Sequence, residues 1–161
     1  MHFPSPHLRR ATFADCPTIA HILLAAFECF RPLYTEGGFS ATTPGAETIA
    51  QRFDEGPSWL AFANTQAVGT VAAVMRDERL YVRSMAVMPS VRGCGVGSAL
   101  LQAVEEYAAT QTVRSLYLST TPFLHEAMRL YERFGFQRTE EGPHDLFGTS
   151  LFTMEKQLKS Q

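Results

Sequence analysis

Lysine is almost missing from this chain: of 14 basic residues only Lys156 and Lys159 are lysines, so none precedes Glu155. A nucleoside-triphosphate loop, which sets Lys then Ser or Thr directly after its last glycine, is thereby excluded. Cysteine is scarce as well, with Cys16, Cys29 and Cys94 odd in number and scattered. That pattern predicts reduced thiols rather than a disulfide framework, and no Cys/His spacing suits zinc, so no metal is expected. Neither sign of charge dominates. A formal charge of −2 gives no general pull toward nucleic acid or an anionic membrane. The longest unbroken apolar run, residues 22–27, is far too short to span a bilayer. The first residues lack the basic-then-apolar form of a secretory signal. The expectation is a cytoplasmic protein with neither nucleic acid nor membrane as a partner.

What remains is ordinary globular material. The chain has 161 residues, 45% hydrophobic and 19% charged, with no repeat, linker or low-complexity stretch. It is expected to form one domain over residues 1–161, large enough to bury roughly two-thirds of its unfolded surface.

Local patterning predicts the elements. Residues 8–12 read as a short strand, and Asp15 as the cap of a helix to about Phe30, with Ile19, Ile22, Leu23, Ala26, Phe27 and Phe30 at helical spacing. Residues 31–44 read as a polar loop and residues 45–53 as a second helix. Three strands follow, at residues 59–63, 68–74 and 80–88, joined by short turns into an antiparallel meander. A helix after residue 96 carries Val96, Leu100, Ala103, Val104 and Tyr107 on one face. Residues 115–119 form the next strand, parallel to the one before because a whole helix intervenes. Thr121-Pro122 is expected to open the next helix. Residues 136–139 and 151–155 finish as a strand pair, whose exposed edges suggest a homodimer.

Between the third meander strand and its helix runs Arg92-Gly93-Cys94-Gly95-Val96-Gly97-Ser98. A strand, a glycine turn and a helix start aim free backbone N–H groups and a positive helix end at one point, a place for phosphate or pyrophosphate. A dinucleotide fingerprint does not fit. Counting from Gly93 puts Ser98 in the third-glycine slot, counting from Gly95 puts Leu100 there, and no acid follows at ribose distance.

The pattern that fits is Arg-x-x-Gly-x-Gly. With Met85-Ala86-Val87-Met88-Pro89 before it, it resembles motif A of the GNAT family of N-acetyltransferases. Ala127-Met128-Arg129-Leu130-Tyr131-Glu132-Arg133-Phe134-Gly135-Phe136 is similar to that family's motif B. Leu124 stands where the family often carries an Asn that touches the pantetheine arm, so that contact is expected to be missing.

The resemblance covers essentially the whole chain. It implies an α/β (α+β) fold, a mixed central sheet of about seven strands with about four helices in the order βααβββαβαββ, and a splayed parallel pair at the coenzyme A site. The donor it implies is acetyl-CoA, and the reaction is direct acetyl transfer to a primary amine of a small molecule. A protein or peptide amine, or a non-catalytic acyl-CoA sensor, are the alternatives. Arg92, Gly93, Cys94, Gly95, Val96, Gly97 and Ser98 are expected to hold the pyrophosphate, chiefly through backbone N–H groups, and the main chain of Met85, Ala86 and Val87 to pair with pantetheine. The three glycines keep side chains from holding the phosphates away. Tyr131 is expected to act as general acid toward the coenzyme A thiolate, since a phenol pKa of about 10 lies above that of an ordinary thiol. Spacing alone would favour a core tyrosine on an amphipathic helix. Glu28, Glu78, Tyr81 and Ser84 are open candidates for general base, and His125 and Glu126 read better as surface residues. Phe30, Tyr34, Phe39 and Tyr81 are candidates for acceptor binding, with Phe27 as core and His144-Asp145 as a loop pair.

Overall fold

The computed structural model describes residues 5–159. Its elements are β1 (His7–Arg10), α1 (Cys16–Phe27), α2 (Glu36–Thr42), α3 (Ala46–Gln51), β2 (Ser58–Ala63), β3 (Gln66–Arg76), β4 (Arg79–Val87), α4 (Val96–Ala108), β5 (Ser115–Thr120), α5 (His125–Arg133), β6 (Gln137–Arg138), β7 (His144–Leu146) and β8 (Thr149–Gln157). The strands join in the order β1-β2-β3-β4-β5-β8-β6, and β7 adds to β8. All pairings are antiparallel except β4 with β5. The fold is thus the expected mixed α/β sheet, with eight strands and five helices rather than about seven and four.

Strand alternation assigns each face its cover. Trp59, Ala61, Leu80, Val82, Leu116 and Leu118 point to one face, where Leu100, Leu101 and Val104 of α4 close over them. Each of those leucines is fully buried, worth about 1.5–3 kcal/mol apiece. Leu60 points to the other face, where Ile19, Ile22, Leu23 and Ala26 of α1 cover it together with Ala86. By simple alternation from Leu80 and Val82, Ala86 belongs on the α4 face. It reaches the α1 face because β4 carries a bulge: Thr70 pairs with Ala86 but Ala72 with Arg83, so Ser84 and Met85 together oppose Val71. Ser84 adopts a positive φ of 56°, the kink of a bulge.

Several elements differ from their sequence expectation. The loop at residues 31–44 contains α2, whose N-cap Thr35 accepts a hydrogen bond from Gly38 N–H at 3.0 Å. Thr35 Oγ1 also donates to the Phe147 carbonyl at 2.7 Å, and the Thr149 hydroxyl accepts from Thr35 N–H at 3.0 Å. A short weak helix is thereby held by the β7–β8 turn, 112 to 114 residues away. α1 ends at Phe27 and passes into a 3-10 turn, Glu28–Leu33. α5 starts at His125, not at Pro122, because Phe123 packs edge-on against Tyr34 with ring centres 4.9 Å apart.

Asp15 does not cap α1 through its side chain. Its carboxylate accepts from Thr12 N–H at 2.7 Å and from the Arg9 guanidinium at 2.8 Å. With its flanking turns, α1 makes a helical run, Phe13–Leu33, of 21 residues with a mean hydropathy of 1.4, enough to cross a membrane by length and composition alone. No such run was expected from a longest apolar stretch of residues 22–27. Here its apolar stripe is committed to the sheet.

The Arg9 hydrogen bonds hold the Asp15 carboxyl down at about 2. A lowered folded-state pKa contributes stability above the ordinary carboxylate range and loses it as pH falls through the folded value. Asp15→Asn is therefore expected to lower the urea midpoint at neutral pH, with the gap from the parent closing between pH 4 and pH 2. A gap that stays constant to pH 2 would contradict this account.

Candidate active site

β4 and β5 pair only at Arg79 with Ser115, Leu80 with Leu116 and Tyr81 with Tyr117. Beyond Tyr81 the bulge turns β4 away and the two strands splay. Backbone groups past that point need other partners. A cleft of about 490 Å³ opens there, floored by Met85, Ala86 and Val87 of β4. Ala26, Phe27 and Phe30 form one wall, and Leu124, Ala127, Leu130 and Tyr131 the other. The glycine loop closes its end with Arg92, Gly93, Gly95, Val96, Gly97 and Ser98.

The loop supplies donors selectively. Arg92 N–H bonds to the Pro89 carbonyl and Cys94 N–H to the Val91 carbonyl, at 3.4 and 3.2 Å, so these two amides are spent inside the turn. Among the described residues no backbone acceptor takes the N–H groups of Gly93, Gly95, Val96, Gly97 or Ser98. The last three stand in the first turn of α4, at the positive end of its dipole. This is a donor set for an anion.

Three expectations change here. Cys94 does not line the cleft; it packs partly against the core, with its thiol 3.8 Å from the Arg92 carbonyl. The Arg92 guanidinium turns from the cleft mouth to the end of α1, donating to the Ala26 carbonyl at 2.6 Å and lying 5.4 Å from the Phe30 ring centre. Gly97 lacks a side chain for a packing reason, since a Cβ there would come within 2.6 Å of Leu130 Cδ2 on α5. Gly93 and Gly95 instead have positive φ, 80° and 87°, and open space where a Cβ would stand.

Positive charge comes from a source the sequence reading passed over. Arg129 and Arg133, one helical turn apart on α5, both face the cleft, as does Glu126. Their i,i+4 spacing beside Tyr131 was the available signal. Leu124 is the N-cap of α5 and makes no side-chain cap.

Tyr131 is 7% exposed, with its ring 5.9 Å from Phe136. Burial pushes its phenol well above the ordinary tyrosine range, and the nearby phenols of Tyr34 and Tyr81 push in the same direction. Burial raises the Tyr34 and Tyr81 phenols too. All three phenols are thus held protonated at neutral pH. The hydroxyls of Thr120 and Thr121, both buried, have no hydrogen-bond partner among the described residues, an arrangement that calls for water or a ligand.

The acceptor candidates separate. Phe30 lines the cleft, and so does Phe27, which was expected to be core. Phe39 is buried, 6.0 Å from Tyr34 and under the Arg31 guanidinium, and does not line the cleft. Tyr34 is buried against Phe39 and Phe123, and Tyr81 packs against Tyr117 at 5.0 Å; neither lines the cleft. Among the base candidates, Glu28 pairs with Arg31 at 3.1 Å and Glu78 with Arg114 at 3.4 Å, both on the surface. His144 bonds the Thr153 hydroxyl at 2.9 Å.

A cleft of this form has known counterparts. The model of the acetyltransferase (GNAT) family matches residues 19–136, and the chain belongs to that family. It is an acetyltransferase, with acetyl-CoA as donor. Over 142 residues it is 28% identical to the uncharacterized N-acetyltransferase YjgM of Escherichia coli K12, covering 84% of each chain. It is 38% identical over 85 residues to N-acetylaspartate synthetase of Danio rerio, matching 52% of this chain and 30% of that one. The PaiA N-acetyltransferase of Thermoplasma acidophilum, solved with coenzyme A, superposes with a TM-score of 0.80 over 96% of this chain and 100% of that one, at 16% identity.

Gly95→Glu puts a carboxylate and a strained αL residue among the donors, while the open space around its Cβ spares the core. Calorimetry is expected to show acetyl-CoA affinity falling at least about tenfold, one anion-to-backbone hydrogen bond in free energy, with thermal stability nearly kept. Unchanged affinity would remove the loop from the donor site.

Proposed function

We propose that this protein transfers acetyl from acetyl-CoA directly to a primary amine of a small molecule, with Tyr131 delivering a proton to the leaving sulfur. The observation that carries the reading is the meeting of Tyr131 with the free donors of the glycine loop in one cleft. The pyrophosphate would lie on the N–H groups of Gly93 and of residues 95–98, with Arg129 and Arg133 adding charge. Pantetheine would run along Met85, Ala86 and Val87, filling the gap left by the splay. The thioester would then stand near Tyr131.

The amine nitrogen attacks the thioester carbonyl, the carbon–sulfur bond breaks, Tyr131 gives its phenolic proton to the sulfur, and the proton released by nitrogen restores the phenol. A phenol raised above its ordinary range stays protonated while the thiolate forms. Its service is to donate a hydrogen bond and then a proton as charge builds on sulfur. The same protonation rules out Tyr34 and Tyr81 as bases near neutral pH. The amine therefore loses its proton to water, or enters as the neutral form.

A small acceptor is favoured over a peptide because Tyr131 is itself only 7% exposed, at the inner end of the cleft wall. One relative is moreover named for the synthesis of a small molecule, N-acetylaspartate.

Tyr131→Phe is expected to lower kcat about 100-fold while calorimetric affinity for acetyl-CoA is kept. Equal losses in both would make Tyr131 a packing residue. In the parent, kcat/KM for the acceptor is expected to rise with pH as the amine deprotonates. No descending limb should appear below about pH 10, the ordinary tyrosine value that Tyr131 exceeds. A phenolic limb between pH 7 and pH 9 would refute the assignment.

A further inference from the structure

We infer that the acceptor carries an anionic group a few bonds from its reacting amine, and that Arg76 and Arg83 receive it. The inference rests on the proposed transfer centre at Tyr131. Tyr81 is the link between that centre and the surface. It is the last β4 residue paired with β5, at the point where the strands part, its ring carries the Arg76 guanidinium at 4.6 Å, and Arg83 follows two residues along the same face of β4. An amine seated beside Tyr131 and Tyr34 therefore extends its other substituents across the Tyr81 ring.

Arg76 ends β3, exposed, with its guanidinium over the Tyr81 ring at 4.6 Å. Among the described residues no carboxylate pairs with it. Arg83, on the same face of β4 as Tyr81, is 18% exposed and touches Glu55 at 3.2 Å, a carboxylate itself 43% exposed. A guanidinium over a ring face with no carboxylate partner still has N–H groups to offer, and these suit a carboxylate bidentately.

The acids on this side are already engaged. Glu55 holds Arg83, Glu141 and Glu155 hold Arg79 at 2.8 and 3.7 Å, and Glu78 holds Arg114. Among the described residues Asp77, at the exposed tip of the β3–β4 hairpin, and the exposed Asp54 and Glu140 make no ion pair. A second ammonium on the acceptor would meet Arg76 and Arg83 and find no free acid beside Tyr81. A carboxylate or a phosphate would find Arg76 unpaired and Arg83 able to exchange an exposed partner. The selection is thus for an amine with an anion, and against a diamine.

The test uses the intact protein with acetyl-CoA and matched acceptors: α-amino acids against their α-carboxamides, phosphoethanolamine against ethanolamine, and an alkyl diamine. The anionic member of a pair is expected to win in kcat/KM by about tenfold or more, the size of one charge-assisted hydrogen bond. Whether the carboxylate or the phosphate pair shows the larger ratio identifies the oxyanion. Arg76→Met should collapse that ratio toward unity and Arg76→Lys should restore part of it, with acetyl-CoA affinity kept in both. The inference is overturned if neutral amines or the diamine win, if Arg76→Met leaves the ratio intact, or if acetyl-CoA binds and neither member of any pair is acetylated. Failure of acetyl-CoA to bind at all would strike the parent reading instead.

Discussion

Everything about the site depends on a ladder that stops. Parallel strands β4 and β5 exchange three residue pairs and then part, because one extra residue at Ser84-Met85 bends β4 off course. The cost is a row of main-chain groups with no strand beside them, and a buried unpaired peptide group costs on the order of 1–3 kcal/mol. The sheet recovers its continuity on the far side through β8, which pairs with β5 along its whole length. The gap is therefore an opening within a closed structure and not a frayed edge. A strand-like ligand could restore those lost bonds, and on the proposed reading pantetheine would do so, completing the sheet.

The two helices at the gap are shaped to each other. α4 presents its first turn to the opening, and α5 leans across it with Tyr131, Arg129 and Arg133. Their approach is close enough that Gly97 stands directly against Leu130. The positive end of the α4 dipole and the guanidiniums of Arg129 and Arg133 border one cleft, so on the proposed reading neither element would need to carry the full charge of a pyrophosphate.

Much of this was legible in the residues. The glycine loop was visible because glycine adopts the positive φ of residues 93 and 95 without strain. α4 and β5 were visible because apolar spacing distinguishes a helix from a strand. What the chain did not disclose are features set by distant partners. α2, rich in Gly and Ser, is weak by propensity and exists through Thr149 and the β7–β8 turn. The bulge at Ser84 arises from cross-strand register, which no local pattern reports. Phe27 and Phe39 exchanged their expected places because helical spacing does not tell which buried face borders a cavity. Arg92 matched its motif, yet the destination of its guanidinium depends on where α1 ends.

That destination joins two halves of the molecule. Arg92 sits in the loop that ends the donor cleft, while its guanidinium is bolted to the last turn of α1, the wall that carries Phe27 and Phe30. The loop and that wall are tied by a single 2.6 Å hydrogen bond. A ligand that binds the loop more tightly with that bond made than with it broken would favour the docked end of α1, and by linkage the docked α1 would favour the ligand by the same free energy.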